Sequence, residues 1–337
     1  MKPSIFDVAN KSGLSVVTVS RVLNGSGNVR EKNRLRVLAA MKELDYRPNA
    51  AAQSLAKGKT GVIGLLISTL HDSVFDAIVK EVHDELAEHG YFLALSVSPS
   101  DREPGSNFLM EKDRVDGIII LSPTWEDTLV PELQQKEIPY VIIDNQNPAY
   151  DKSAIEVGHY SGGYAAGQHL VELGHTSIAH LSGPAAYKST IDRMNGFLKA
   201  LADNGLDPLF IEEGPYSMET GYNAAKGWIN EDRLPEAVFC GDDYIAVGVL
   251  NALQEAGLSV PRHLSLVGYD DQDLATLFRP TLTTVAQPVL PIARSAVKAL
   301  LAQLEGKPSP EPVVLQPELI VRQSTALAKS FSKESPL

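Results

Sequence analysis

A single cysteine, Cys240, stands in 337 residues, which excludes an intramolecular disulfide framework and a cysteine-rich metal site. No run approaches the roughly 20 apolar residues of a membrane span, and "MKPSIFDVANK" is broken by charge before a signal-peptide core can form. The expectation is a soluble, cytoplasmic protein with no membrane partner. HExxH, GxSxG and glycine-rich phosphate loops are all missing. The carboxylates that glycoside hydrolysis would need fall on different strands, with nothing fixing an acid–nucleophile pair. His169 and His175 lie in or just after a helix and read as hydrogen-bonded structural histidines. No enzyme is expected, and no metal or cofactor.

What is present is unevenly charged. The formal net charge is −12, yet residues 1–60 carry 11 Lys/Arg against 4 Asp/Glu and the remainder 19 against 38. A basic head on an acidic body points to a local polyanion-binding module, with a solvated basic arm as the alternative. An apolar fraction of 44% supports proper cores, and the length allows two or three domains.

Residues 4–46 predict three short helices. Ser4 with Asp7 makes a capping-box pattern, and Ile5, Val8 and Ala9 form an apolar stripe. Gly13 ends the turn, Ser15 caps the second helix, and Val19, Val22 and Leu23 face inward. The third helix spans about 31–44, with Leu35, Leu38, Met41 and the Leu44–Tyr46 end as its buried side. Arg30 precedes it where a side-chain cap is usual, so that cap is missing at a cost of about 1 kcal/mol. "RPNAAAQSLAKGKTG" follows as a linker with a marginal two-turn helix.

From Gly61 the pattern alternates strand and helix. "VIGLLIS", "YFLALSV", "VDGIIIL", "YVIID", "SIAHLSG", "AVFCGDD", "LSLVGYD" and "TLTTVAQ" are apolar runs bounded by turns. Near-continuous apolar strands separated by helices imply parallel sheets covered on both faces. Eight or more strands over some 270 residues are too many for one compact sheet, so two similar α/β lobes are expected.

In order and spacing, "DVANKSGLSVVTVSRVLNG", "VLAAMKELDYRPNAAAQSLA", "HLVELGHTSIAHLSGP", "RMNGF", "DDYIAVGVLNALQEAGLSVPRHLSLVGYDD" and "PTLTTVAQP" resemble the LacI/GalR family of bacterial transcription regulators along nearly the whole chain. The resemblance implies an α plus α/β chain, in which a three-helix helix-turn-helix DNA-binding domain precedes a two-lobed periplasmic-binding-protein-like core. The expected division is 1–47 for the head, 48–60 for hinge helix and linker, 61–330 for the core and 331–337 for a tail. Within the core, one lobe takes 61–156 and 285–315, the other 157–284 and 316–330.

A helix-turn-helix sets the start of its second helix against base edges in the major groove. Here Val16 and Val17 would read thymine methyls or groove shape, while Ser15, Thr18 and Ser20 suit phosphate oxygens. Arg21 suits a bidentate guanine contact, or alternatively a phosphate or a salt bridge within the head; Asn24 closes the same face. By resemblance, Asn49–Ala56 forms a hinge helix led into the minor groove by Leu55. Two such marginal helices must pair, so a homodimer on a pseudo-palindromic operator follows.

Candidate ligand groups lie where open α/β sheets place their crevices, at strand ends: Asp144 after "YVII", Asp242 after "AVFCG", Asp270 after "LSLVGY", and Arg193 in "IDRMNGF". Carboxylates and a guanidinium suit hydroxyl groups, and Tyr216 and Phe75 are candidates to cover a C–H face. Asp144, Arg193, Tyr216, Asp242 and Asp270 match effector positions by resemblance, although Asp242 could instead only orient backbone. "LHDSVFDAI" replaces the family's usual Asn-Pro and two aromatics. The effector expected is a small sugar that releases the repressor from DNA allosterically. The alternatives are a nucleobase, phosphosugar or phosphoprotein effector, or a sugar-binding or sugar-hydrolysing protein.

Overall fold

The computed structural model describes residues 3–25, 29–47, 58–70, 73–97, 107–111, 113–123, 125–147, 149–150, 154–308 and 312–328. In the head, Ser4 starts α1 (Ile5–Ser12) through a reciprocal capping box with Asp7. Gly13 takes φ 63° and turns the chain, and the Ser15 hydroxyl accepts from Thr18 N (3.2 Å) to cap α2 (Val16–Leu23). α3 (Glu31–Glu43) begins at Arg30 with no side-chain cap. Val8, Ala9, Val19, Val22, Val37 and Ala40 form the small core.

The third helix is rotated from its expected face. Leu35 and Leu38 are 58% and 48% exposed. The buried stripe is Val37, Ala40, Met41 and Leu44, a complete i, i+3, i+4, i+7 set from which the two leucines stand off. The hinge expectation, with Asn49 and Leu55, falls outside the described residues.

The core holds two six-stranded sheets. The first contains β1 (Val62–Ile67), β2 (Phe92–Val97), β3 (Gly117–Leu121), β4 (Tyr140–Ile143) and β5 (Ala154–Val157), and takes β11 (Val313–Leu315) on its far edge, in the order β11-β5-β4-β3-β1-β2. The second contains β6 (Ile178–Ser182), β7 (Ile211–Glu213), β8 (Ala237–Cys240), β9 (Ser265–Asp270), β10 (Thr283–Ala286) and β12 (Glu318–Ile320), in the order β12-β10-β9-β8-β6-β7. Among the described residues every pairing is parallel except β10 with β12. Central strands such as β3 and β8 are buried along their whole length, as expected where helices cover both faces of a parallel sheet.

Helices α4 (Ser73–Glu88) and α5 (Glu126–Gln135) belong to the first lobe. α6 (His159–Glu172), α7 (Lys188–Asp203), α8 (Met218–Asn230), α9 (Asp243–Glu255) and the short α10 (Leu274–Leu277) belong to the second. α11 (Val289–Leu304) returns to the first sheet, where Ile292, Ala296 and Leu300 join its core. Among the described residues the chain therefore passes between lobes after Val157, after Ala286 and after Leu315.

The helix pair α6 and α7 packs backbone against backbone. A Cβ on Gly163 would lie 1.9 Å from the Arg193 carbonyl oxygen, and one on Gly196 would lie 1.9 Å from that of Tyr160. These glycines set the depth at which α7 presents Arg193. Gly163→Ala gains helix propensity of up to ~1 kcal/mol, but must push the helices apart. A net destabilisation of about 1–3 kcal/mol is expected, measured by urea unfolding; an unchanged or raised midpoint would contradict the close approach.

Candidate functional site

Sheet geometry puts the carboxyl ends of both sets of strands at one crevice. The residues that leave these strands are conformationally unusual: Ser122, Asp144 and Asp270 have φ of 44°, 54° and 101°. Non-glycine residues tolerate this only where surrounding structure enforces it, and such positions cluster at ligand sites. They border a cavity of about 310 Å³. Phe75, Asp144, Arg193, Tyr216, Asp242 and Asp270 all line it.

Arg193 is 6% exposed, and each of its three nitrogens has a protein partner. One guanidinium nitrogen donates to Gly241 O at 2.7 Å, another faces Asp270 Oδ1 at 3.2 Å, and Nε approaches His159 Nδ1 at 3.4 Å. Its Cζ sits 3.8 Å above the Tyr269 ring. Burial disfavours its charge, but Asp270, the two tyrosines and Asp144 more than offset this, and its pKa rises above the usual arginine range. Asp270 Oδ1 also accepts from Gln287 Nε2 at 2.6 Å. Among the described residues no hydrogen bond reaches Asp270 Oδ2, which leaves one carboxylate oxygen to the cavity.

The other carboxylates are differently employed. Asp242 caps α9 by accepting from Ile245 N at 2.7 Å, so part of its work is to orient backbone. Asp144 spends both oxygens within the protein: Oδ1 on His159 Nε2 (3.2 Å), and Oδ2 on the Ser122 hydroxyl (2.7 Å) and Gln146 Nε2 (3.1 Å). Burial opposes its ionisation, but His159, the Ser122 hydroxyl and the charge of Arg193 overcome that and hold its pKa down at about 2. Tyr216 shares a 2.5 Å hydrogen bond with Thr190, and burial pushes its pKa up to about 12, so it keeps its proton. Its ring lies where a Cβ on Gly183 would be, 2.1 Å from Cζ, which ties the glycine of "LSGP" to the aromatic wall.

Sequence reasoning missed several polar groups at this site. Gln287 and Ser189 line the cavity, and Ser122 and Gln146 hold Asp144. His159 lies between Asp144 and Tyr269. Asp243, buried beneath the β9 end, accepts from Thr284 Oγ1 (2.6 Å) and Gln272 N (2.8 Å), and burial pushes its pKa well up. Only the double aspartates "GDD" and "YDD" hinted at it.

The cavity lining is mixed. Val74, Phe75, Ile78, Leu121, Ile143, Val157 and Ile292 supply apolar groups, while Ser68, Thr69, Ser122, Tyr187, Ser189, Arg193, Tyr216, Asp270 and Gln287 supply hydrogen-bonding groups. In the head, Ser15, Val17, Arg21 and Asn24 are exposed, with Val17 at 61%. Thr18 and Ser20 are half-buried, and Val16 packs partly against the head's core. Val17 is therefore the apolar side chain that the second helix offers outward.

The family described as "Bacterial regulatory proteins, lacI family" matches residues 4–49, and "Periplasmic binding protein-like domain" matches residues 168–325. The chain is 34% identical over 330 residues to the HTH-type transcriptional repressor PurR of Edwardsiella ictaluri (strain 93-146), covering 96% of this chain and 97% of that protein. The chain belongs to the LacI family. Its fold is similar to a lac repressor dimer bound to operator and the anti-inducer ONPF, with TM-score 0.85 and 30% identity over 97% of this chain and 100% of that one. It is also similar to a CelR–cellobiose complex, with TM-score 0.72 and 30% identity over 96% and 99%. As a LacI-family member the protein is a regulator and not an enzyme. No helix among the described residues is long and apolar enough to cross a membrane.

In this LacI-family cleft, Asp144 has a pKa of about 2, below the ~3.9 of an unfolded aspartate. A carboxyl depressed by folding stabilises the native state above its unfolded pKa and loses that contribution as pH falls toward the folded one. Asp144→Asn is expected to remove on the order of 2 kcal/mol of pH dependence between about pH 4 and pH 2. Urea unfolding of both proteins across the acid limb measures this, and superimposable limbs would contradict it.

Proposed function

We propose that the protein is a cytoplasmic repressor that binds a two-fold symmetric operator as a homodimer and is released when a small, neutral, hydroxylated ligand, a sugar or glycoside, occupies the cleft. The reading assigns 1–47 to DNA binding, 48–60 to the hinge and 61–330 to effector binding and dimerisation, with one lobe at about 61–156 and 285–315 and the other at about 157–284 and 316–330. The observation that carries the ligand class is the mixed lining of the cavity. Hydrogen-bonding groups stand beside aliphatic and aromatic ones around it, and the charged residues among the described lining are Asp144, Asp242, Asp270 and Arg193.

An anionic ligand would enter beside three carboxylates and a guanidinium already paired with Asp270. Like charges at short range in a weakly solvated site cost several kcal/mol, which argues against a phosphosugar. A neutral polyol meets Asp270 Oδ2, Ser189, Gln287 and Arg193 with its hydroxyls and the apolar groups with its C–H face. The relatives named for cellobiose and ONPF complexes accord with this reading. On the head, Ser15, Thr18, Ser20, Arg21 and Asn24 are proposed to hold phosphates or a guanine, and Val16 and Val17 to touch bases.

The test is thermal unfolding of the full chain against mono- and disaccharides, alkyl glycosides, phosphosugars and nucleobases. A ligand at a hundredfold excess over its Kd adds about 2.7 kcal/mol of stability. One neutral sugar or glycoside is expected to raise the melting temperature, and Arg193→Lys to abolish the shift. A response only to phosphosugars or nucleobases would overturn the ligand class. In parallel, duplexes selected from a random library are expected to be two-fold symmetric and to lose affinity steeply with salt. Val17→Ser should change the preferred base at one position in each half-site; an unchanged selection would remove Val17 from base reading.

A further inference from the structure

Asp144 leaves the end of a first-lobe strand, yet its contacts lead into the second lobe by two routes. The deep route runs through His159, which begins α6 immediately after the first crossing between lobes. His159 is 3% exposed; Nε2 lies 3.2 Å from Asp144 Oδ1, and Nδ1 lies 3.1 Å from the Tyr269 hydroxyl and 3.4 Å from Arg193 Nε. An ionised carboxylate only accepts, so Nε2 carries a hydrogen and donates it to the first lobe. The opposite nitrogen meets Tyr269 and Arg193, the two second-lobe groups stacked on each other beside Asp270. The shallow route runs through Gln146. Its Nε2 donates to Asp144 Oδ2, and its Oε1 accepts from Lys188 N (2.6 Å), the first residue of α7.

We propose that His159 is the positioning residue that couples the lobes, with Gln146 as its weaker companion at the rim, and that Asp144 serves as their first-lobe anchor. The inference deepens the effector-cleft reading and rests on it for its biological meaning. Three observations carry it. Both Asp144 oxygens are occupied by protein groups. The imidazole is buried at a crossing where a change of lobe angle must be absorbed. Finally, its second nitrogen touches the same Arg193 that faces the cavity. A ligand that moves Arg193 or Asp270 thereby alters the geometry at His159, and through it the hold on Asp144. Coupling of this kind needs a bond made in one lobe arrangement and lost in the other.

The test places spin labels at Q135C in α5 and E219C in α8 of the full chain, diluted with excess unlabelled wild type so that only distances within one chain are read. Cys240 is buried and stays unlabelled. A single narrow distance distribution is expected with His159 present. His159→Leu, which keeps an apolar filling but cannot bridge, should add a second, displaced population of at least one third of molecules. His159→Gln, whose amide can donate to the same carboxylate, should restore the wild-type distribution. A wild-type distribution in H159L, in a protein whose melting curve shows it folded, would overturn the proposal, as would failure of H159Q to restore it. Should H159L not fold, Gln146→Ala gives the decision at the rim: a broadened distribution supports the bridge and an unchanged one overturns it. The measurement needs no ligand. Silence across the sugar panel would therefore sink the effector reading without touching this result, and an unchanged H159L distribution would sink the bridge without touching the effector.

Discussion

A guanidinium cannot be deprotonated at any physiological pH, so burying one obliges the protein to satisfy it on every side. Arg193 imposes that constraint here. Its in-plane partners are Asp270, the Gly241 carbonyl and His159, and its face lies on Tyr269. Each partner fixes a further element. Asp270 must leave β9 at φ 101° to turn its carboxylate back. The carbonyl of Gly241 comes from the strand-to-helix turn that Asp242 caps. The glycines at 163 and 196 let α6 and α7 approach until His159 and Arg193 meet. Removing the arginine would leave Asp270 buried and unpaired, which costs more than the pair contributes while intact.

How legible this was from sequence depends on the signal each feature leaves. The central strands were plain because residues buried on both faces read as continuous apolar runs. The edge strands Ile211–Glu213, Val313–Leu315 and Glu318–Ile320 were not: three residues with mixed exposure carry no period. Ala154–Val157 is also short, and its glutamate masked it. Ser4, Asp7, Gly13 and Ser15 were readable because capping is local chemistry between residues a few positions apart. Leu35 and Leu38 misled for the opposite reason. Both are large and apolar at helical spacing, but a small helix buries one stripe, and Val37 with Ala40 lets the helices approach more closely than leucines would.

The site residues divide along the same line. Aspartates and an arginine at strand ends are conspicuous in sequence, since charged side chains adjoin apolar runs there. Gln146, Gln287 and Ser122 are ordinary polar residues in connections, and His159 is one at a helix start. Their roles come largely from partners 15 or more positions away, such as Asp144 with His159 and Asp270 with Gln287. Sequence could assign Asp144 to the crevice; only the geometry could show that its oxygens are already taken. The distinction matters chemically, because a carboxylate that has accepted three hydrogen bonds has little left for a ligand hydroxyl, whereas Asp270 keeps an oxygen toward the cavity.

The division of charge between head and body completes the same logic. Concentrating 11 basic residues in the first 60 while the rest holds twice as many acidic as basic residues confines attraction for a polyanion to the head and leaves the body repelling it. Affinity for DNA then depends on how the heads are presented, and presentation is the property that a two-lobed body can change. A cleft whose charged groups are largely engaged by protein partners suits that task. On the proposed reading, the Asp144 contacts hold the lobes in one arrangement, and the ligand adds the smaller, reversible contacts that choose between arrangements. A differential affinity of ~1–3 kcal/mol is enough for such a switch, and a few ligand hydrogen bonds, each worth about 1 kcal/mol, lie within that range.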